Sequence, residues 1–247
     1  MCIVFKAARL FLLFLFLFCF SFPAFSSDDV YVAVSPGIAP CVEDIYSLFA
    51  GAGGGPIVFV KEATGPLAQK MDAGAPFDLL VAADPEWPAW LAERGKLAGL
   101  QKCADGHLVL WAENKESCSE EKLPDLRIAA PDPETTSHGI LAAGYLTSAG
   151  LWEEGLASKK ILISRNALHA VLAVQAGSAD AALIPESLAI GTKGAYIRLA
   201  VPPISTVAGL NTAGASETAG AFFRFLLSPE AAGVWKKWGF EPAGAPK

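Results

Sequence analysis

A chain of 247 residues with 53% hydrophobic and 18% charged residues carries enough apolar side chains to bury a sizeable core in one or two domains, which excludes disorder, collagen and coiled coil. Its 19 Lys and Arg against 25 Asp and Glu give a formal charge of −6, so no broad basic face is expected for nucleic acid or an anionic membrane surface.

The N-terminal segment reads as an export signal rather than as part of a fold. Leu10 to Phe20 is an apolar run of about 11 residues, preceded by Lys6 and Arg9 and followed by the small residues Ala24 and Ser26. That run is shorter than the roughly 20 residues needed to cross a bilayer as a helix. A lipid anchor would need a small residue before Cys19, where Phe18 stands. Residues 1–26 are therefore expected to be a cleavable signal peptide, and the protein to be soluble and exported. Cleavage after Ser26 leaves 221 residues with 17 basic and 25 acidic side chains, a net charge of −8. It also leaves Cys41, Cys103 and Cys118. An oxidising compartment permits a disulfide. Cys103 and Cys118 enclose a stretch that reads as one strand between two turns, so that pair is expected to be bonded and Cys41 free and buried. His107, His138 and His169 lie far apart, and neither they nor the cysteines have zinc-ligand spacing, so neither a free metal cation nor a cofactor is expected.

Along the rest of the chain, short β-rich runs alternate with helical patterns, which predicts an α/β protein with mainly parallel sheet. Val30 to Val34 is a strand, followed by Ser35-Pro36-Gly37 and a helix with Ile38, Val42, Ile45 and Phe49 on one face. The glycine-rich stretch from Gly51 follows a helix and precedes a strand, the reverse of a dinucleotide loop, and reads as a turn. A strand from Ile57 to Val60 leads through Thr64-Gly65-Pro66 into a second helix. Phe77 to Ala83 is a buried strand, and Asp84-Pro85-Glu86-Trp87 opens a third helix ending near Gly95. From His107 to Trp111 a strand crosses into a second lobe. There Arg127 to Ala130, Lys160 to Ile163 and Ala181 to Ile184 alternate with helices after Ser137 and Asn166. The chain returns through Ala195 to Val201, and two helices, Glu217 to Leu227 and Pro229 to Trp238, close it. Residues 27–105 and 200–247 are thus assigned to lobe 1 and residues 106–199 to lobe 2, with two crossing segments forming a hinge beside a cleft.

Four strand-to-helix junctions place a small polar residue where a helix N-cap is expected: Ser35, Thr64, Ser137 and Asn166. Each reads equally as a cap, worth about 1 kcal/mol against Ala. In an open parallel sheet, however, helix N-termini gather at the carboxyl ends of the strands, where such folds bind ligands. Two junctions from each lobe would line the cleft with backbone N–H groups, hydroxyls and positive helix ends, an anion site that needs no cation.

Several segments resemble the periplasmic molybdate-binding proteins that feed ABC transporters, within the type II periplasmic substrate-binding proteins. Ala73 to Trp87, AGAPFDLLVAADPEW, is similar to that family's AGAPADLFxSADxxW signature. VYVAVSPG, GPLAQKM, APDPETTSHGILAAGYL and the C-terminal FFRFLLSPEAAGVWKKWGF match further family segments, so the resemblance covers nearly the whole mature chain. It implies a monomeric periplasmic protein of two-lobed fold, capture of a tetrahedral oxyanion (molybdate or tungstate) by Ser35, Thr64 and backbone N–H groups near His138 and Ala167, and delivery to a permease without chemistry on the ligand. The chain departs from the family at Pro185, where a tyrosine hydroxyl commonly completes the site and proline offers neither hydroxyl nor N–H. His138 has two readings: a cleft imidazole donating to the dianion in its charged form, or a solvent-facing rim residue. Arg165 reads as an exposed turn residue and His107 and His169 as structural. The six tryptophans read mainly as packing residues rather than as a sugar platform.

Two alternatives stay open. Sulfate, another oxyanion or a small organic carboxylate would suit the same fold. A serine hydrolase using Ser35, His138 and Asp132 has the residue types but no G-x-S-x-G elbow.

Overall fold

The computed structural model describes residues 29–244; the expected signal peptide, residues 1–26, lies outside the described residues. Two sheets organise them. The first has the strand order β11-β4-β10-β3-β1-β2, formed by β1 (Val30–Val34), β2 (Ile57–Lys61), β3 (Leu79–Ala82), β4 (Leu97–Gly106), β10 (Ile204–Asn211) and β11 (Glu241–Pro242). The second runs β7-β6-β8-β5-β9, from β5 (Leu108–Ala112), β6 (Ile128–Pro131), β7 (Ile161–Ser164), β8 (Ala181–Pro185) and β9 (Ala195–Arg198). The chain passes from the first sheet to the second between Gly106 and Leu108 and returns between Arg198 and Ile204.

Each sheet has a parallel three-stranded part, β2-β1-β3 and β7-β6-β8, and this part carries the strand-to-helix junctions. β3, LLVA, is buried at every position because helices cover both of its faces. On one side lies α1 (Ala39–Gly51), which buries Cys41, Val42, Ile45 and Phe49 against Phe222 of α8 (Glu217–Leu226) and Trp235 of α9 (Pro229–Lys237). Tyr46, Phe49, Phe59 and Phe222 meet there in tilted and edge-on ring contacts. On the other side lie α2 (Thr64–Asp72) and α3 (Glu86–Glu93), through Leu67, Met71 and Leu91. In the second lobe α4 (Ser137–Ser148) covers one face and α6 (Ala167–Gln175) the other, while α5 (Trp152–Ala157) and α7 (Glu186–Ile190) are short.

The antiparallel strands β4 and β10 were not anticipated from sequence. They pair with each other and carry the chain towards and from the second lobe. Gly209 of β10 lets Leu97 and Leu100 come close; a Cβ there would lie 2.6 Å from Leu100.

The expected disulfide is absent: Cys41, Cys103 and Cys118 are all free and buried. Cys103 is on β4 in the core of the first lobe, whereas the Cys118 Sγ–H donates to the Leu110 carbonyl in the core of the second (3.3 Å). The intervening chain crosses between lobes, so it is not the local strand-and-turns loop that the pairing required. Burial pushes the Cys103 thiol up to about 12, which keeps it protonated and unreactive.

Candidate functional site

The junctions differ in which residue caps the helix, and the differences bear on function. Only Asn166 caps as expected, its Oδ1 accepting the His169 N–H (3.1 Å). At α4 the cap is Thr136, whose Oγ1 accepts from Gly139 N–H (3.0 Å), and Ser137 is the first helical residue. At α2 the cap position is Ala63 and Thr64 begins the helix. After β1 a short turn intervenes; the Ser35 carbonyl accepts from the Ile38 and Ala39 N–H groups (3.1 and 3.0 Å), and the cap position is Ile38. The hydroxyls of Ser35, Thr64 and Ser137 are thus not engaged in capping. The N–H groups of Thr64, Gly65, Ser137, His138, Ala167 and Leu168, which open α2, α4 and α6, have no intrahelical acceptor and remain available to an anion.

Two of these N-termini, those of α2 and α4, meet across the lobes. Asp84, at the end of β3, is fully buried, and the hydroxyls of Thr64 from lobe 1 and Ser137 from lobe 2 stand beside its carboxyl. Oδ1 accepts the Trp87 N–H (3.0 Å) and so fixes the start of α3. Oδ2 has no well-aligned hydrogen-bond partner among the described residues; the two hydroxyls lie near enough to favour the charged form without meeting hydrogen-bond geometry. Burial outweighs them and raises the carboxyl above its ordinary range. At the outer edge, Arg165 before α6 reaches Glu62 before α2 (3.3 Å), and Glu62 also pairs with Lys70. Asp84 was read only as part of a sequence signature. The missed signal was a carboxylate at the carboxyl end of a fully buried parallel strand, the place where this kind of sheet presents its ligand groups.

Ala167 begins α6 and is buried. Pro185 ends β8, buried, and packs against Gly37 in the turn that follows Ser35; a Cβ on Gly37 would lie 2.8 Å from the Pro185 Cγ. Beside it the Ser187 Oγ–H donates to the Gly37 carbonyl (2.6 Å). The position where the family places a hydroxyl over the ligand is here an interlobe packing contact.

His138 fits neither expectation. It is buried rather than on a solvent-facing rim, and desolvation pushes its pKa down to about 4, so it is neutral rather than a cation facing the anion. It lines a small enclosed space with Pro185, Glu186, Trp238 and Phe240, beside the Gly106–His107 crossing, and its Nε2 has no partner among the described residues. The Asp132 carboxylate accepts from the Glu134 N–H (2.9 Å) and Thr135 Oγ1 (3.2 Å), shaping the loop before α4 rather than orienting a histidine. Arg165 is exposed but bridges the lobes, and the His107 Nε2 lies 3.2 Å from Glu241 Oε1. Among the described residues no His, Cys, Asp and Glu cluster suits a metal ion, and no helix is long and apolar enough to cross a membrane.

Known proteins resemble this arrangement along most of their length. The chain is 26% identical over 232 residues to the molybdate-binding protein ModA of Escherichia coli, covering 85% of this chain and 88% of that one. Among solved structures, the periplasmic molybdate-binding protein of Azotobacter vinelandii superposes with a TM-score of 0.79 at 22% identity, covering 88% of this chain and all of that one. The sulfate-binding protein SubI of Mycobacterium tuberculosis superposes at 0.71 with 18% identity, covering 88% of each chain. A family profile described as bacterial extracellular solute-binding protein matches residues 30–241. With its two lobes, its facing helix N-termini and that match, the chain belongs to the bacterial extracellular solute-binding proteins.

Proposed function

We propose that this protein captures a tetrahedral oxyanion, molybdate or tungstate, between its lobes outside the cytoplasm and delivers it unchanged to an ABC transporter permease. The observation that carries the reading is the convergence of the α2 and α4 N-termini from opposite lobes, with the Thr64 and Ser137 hydroxyls not engaged in capping. Ser35 and Ala167 supply the flanking donors from β1 and α6. Neutral donors solvate an oxyanion without a lysine or arginine in the pocket, which agrees with a chain that is acidic overall. The named relatives bind molybdate or sulfate, and the length of the metal–oxygen or sulfur–oxygen bonds sets how far the lobes close on the ligand. Because Pro185 lacks the tyrosine hydroxyl, the site relies on fewer side-chain donors and more on backbone N–H groups.

Titration calorimetry of the ligand-stripped mature protein with molybdate, tungstate, sulfate and phosphate, in a buffer free of all four, tests this. Molybdate and tungstate are expected to bind at least a hundredfold more tightly than sulfate and phosphate. Tighter binding of sulfate or phosphate overturns the ligand assignment while keeping the oxyanion site. Binding of none overturns the site.

A further inference from the structure

A groove of about 890 Å³ runs beside the α2–α4 junction and shares Ser137 with it. Its floor is one face of α4, where Ser137, Ile140, Leu141, Gly144, Tyr145 and Ser148 recur at three- and four-residue spacing. Glu86, at the start of α3, comes from lobe 1. Glu120 comes from a 3₁₀ turn of lobe 2 (Glu120–Asp125), and the segment from Ala200 to Ile204 brings the chain back to lobe 1. The space is far larger than a tetrahedral ion and falls in the range of roughly 300–1,000 Å³ that holds small organic molecules.

The walls define the chemistry that fits. They are apolar: Ile140 is 60% exposed despite its hydrocarbon side chain, and Leu141, Val201, Pro202 and Ile204 line the same space. Among the described residues that line it, the charged groups are the carboxylates of Glu86 and Glu120, with no Lys, Arg or His. Elsewhere on the surface a carboxylate commonly faces a cation, as Glu43 does Lys61, Asp72 does Arg94 and Asp180 does Arg127. Glu86 has no such partner among the described residues. Glu120 accepts a hydrogen bond from the Tyr145 hydroxyl (2.5 Å), which holds it at the wall without neutralising it.

The floor is kept open at Gly144. Glycine weakens a helix interior relative to alanine, yet a Cβ at Gly144 would meet nothing within 4 Å, so no neighbouring atom demands the missing side chain. What its absence provides is depth in the groove.

We propose that this groove is a second ligand site, for an organic ammonium ion with a hydrocarbon body. The body lies along Ile140, Leu141 and Gly144 against the crossing segment, and the cationic head meets the carboxylates. An organic anion of the same shape is repelled by Glu86 and Glu120, and an inorganic ion leaves the apolar walls unfilled. The proposal goes beyond the oxyanion reading and does not depend on it, since it concerns other walls and the opposite charge. Because Glu86 belongs to lobe 1 and α4 to lobe 2, a ligand held there bridges the lobes.

The experiment is titration calorimetry of the mature protein at pH 7, without molybdate, using octylammonium, octanoate and 1-octanol: one hydrocarbon body carrying a positive, a negative and no charge. Octylammonium is expected to bind at least tenfold more tightly than the other two. Glu86 and Glu120 are exposed, so the double substitution Glu86→Gln, Glu120→Gln should fold and bring octylammonium down to the level of octanol. Gly144→Leu fills the floor and should weaken octylammonium at least tenfold, while the melting temperature stays the same or rises. Absence of octylammonium binding, or equal binding of all three probes, overturns the proposal. Full affinity in Gly144→Leu, or a charge preference that survives the double substitution, overturns the placement in this groove and with it the proposal. None of these outcomes touches molybdate binding, so the two readings fail separately.

Discussion

Ser35 and Thr64 carry hydroxyls that no helix end consumes, which separates their proposed part in binding from their value for folding. Replacing either by Ala is expected to weaken oxyanion binding about tenfold or more, because a hydrogen bond to a charged group contributes about 1.5–3 kcal/mol. The melting temperature should move by only a few degrees. Thr64→Ser should restore most of the affinity, and calorimetry beside thermal melts reads both quantities. His138 gives the opposite case, a residue felt in stability. Its folded pKa of about 4 lies below the ordinary 6.5, so the unfolded chain takes the proton first. Its contribution is whole above about pH 6.5 and is lost as the pH falls towards 4, by up to about 3 kcal/mol. Denaturant unfolding at pH 7 and 4.5 should therefore show a smaller acid penalty in His138→Gln than in the wild type, by about 2 kcal/mol. At this scale Ser35 and Thr64 were visible in the sequence because each follows a strand and precedes a helix. The burial of His138 was not visible, since it depends on α4 packing against the chain around Pro185 and Phe240. The cysteines misled for a related reason: a spacing of fifteen residues looked local, but the chain between Cys103 and Cys118 changes lobes.

The N-terminus of α4 shows how an element is built to expose its first turn. Thr136 takes the Gly139 N–H and leaves those of Ser137 and His138 without an intrahelical acceptor. Thr136→Ala should cost about 1 kcal/mol of stability, read by urea unfolding, with a smaller effect on anion affinity than Thr64→Ala. Gly139→Ala should be the more damaging change, because its Cβ would lie 2.4 Å from the Asp132 carbonyl oxygen, which belongs to backbone and cannot swing away. The parallel βα units were legible from sequence because fully buried apolar strands alternate with amphipathic helices. β4 and β10 were not, and the cause is physical. β4 has no clean alternation, with exposed residues at Ala98, Gly99, Gln101 and Lys102. The centre of β10 is filled by Val207, Ala208 and Gly209, whose small side chains suit the close approach of β4 and give little β signal.

For the molecule as a whole, the strand orders place the two lobe-connecting regions on one side and β2 and β7 at the far edges. Near the crossing, Pro185 sits on Gly37 and Ser187 holds the Gly37 carbonyl; at the far edge, Arg165 reaches Glu62. Gly37→Ala places a methyl group against the Pro185 ring and should prop the lobes apart. Small-angle scattering should report a larger radius of gyration with ligand present, and affinity should fall at least tenfold while each lobe keeps its secondary structure. The Gly37–Pro185 contact has another consequence, for what a membrane partner senses. On the proposed function, an anion held between the lobes would lie between that contact and the Arg165–Glu62 rim, as an object lies between the arms of a pair of callipers. A small difference in ligand radius near the pivot would then become a larger difference in spacing at Glu62 and Arg165, which lie 3.3 Å apart here. On that reading the molecule would convert the size of a captured ion into the separation of two surface points.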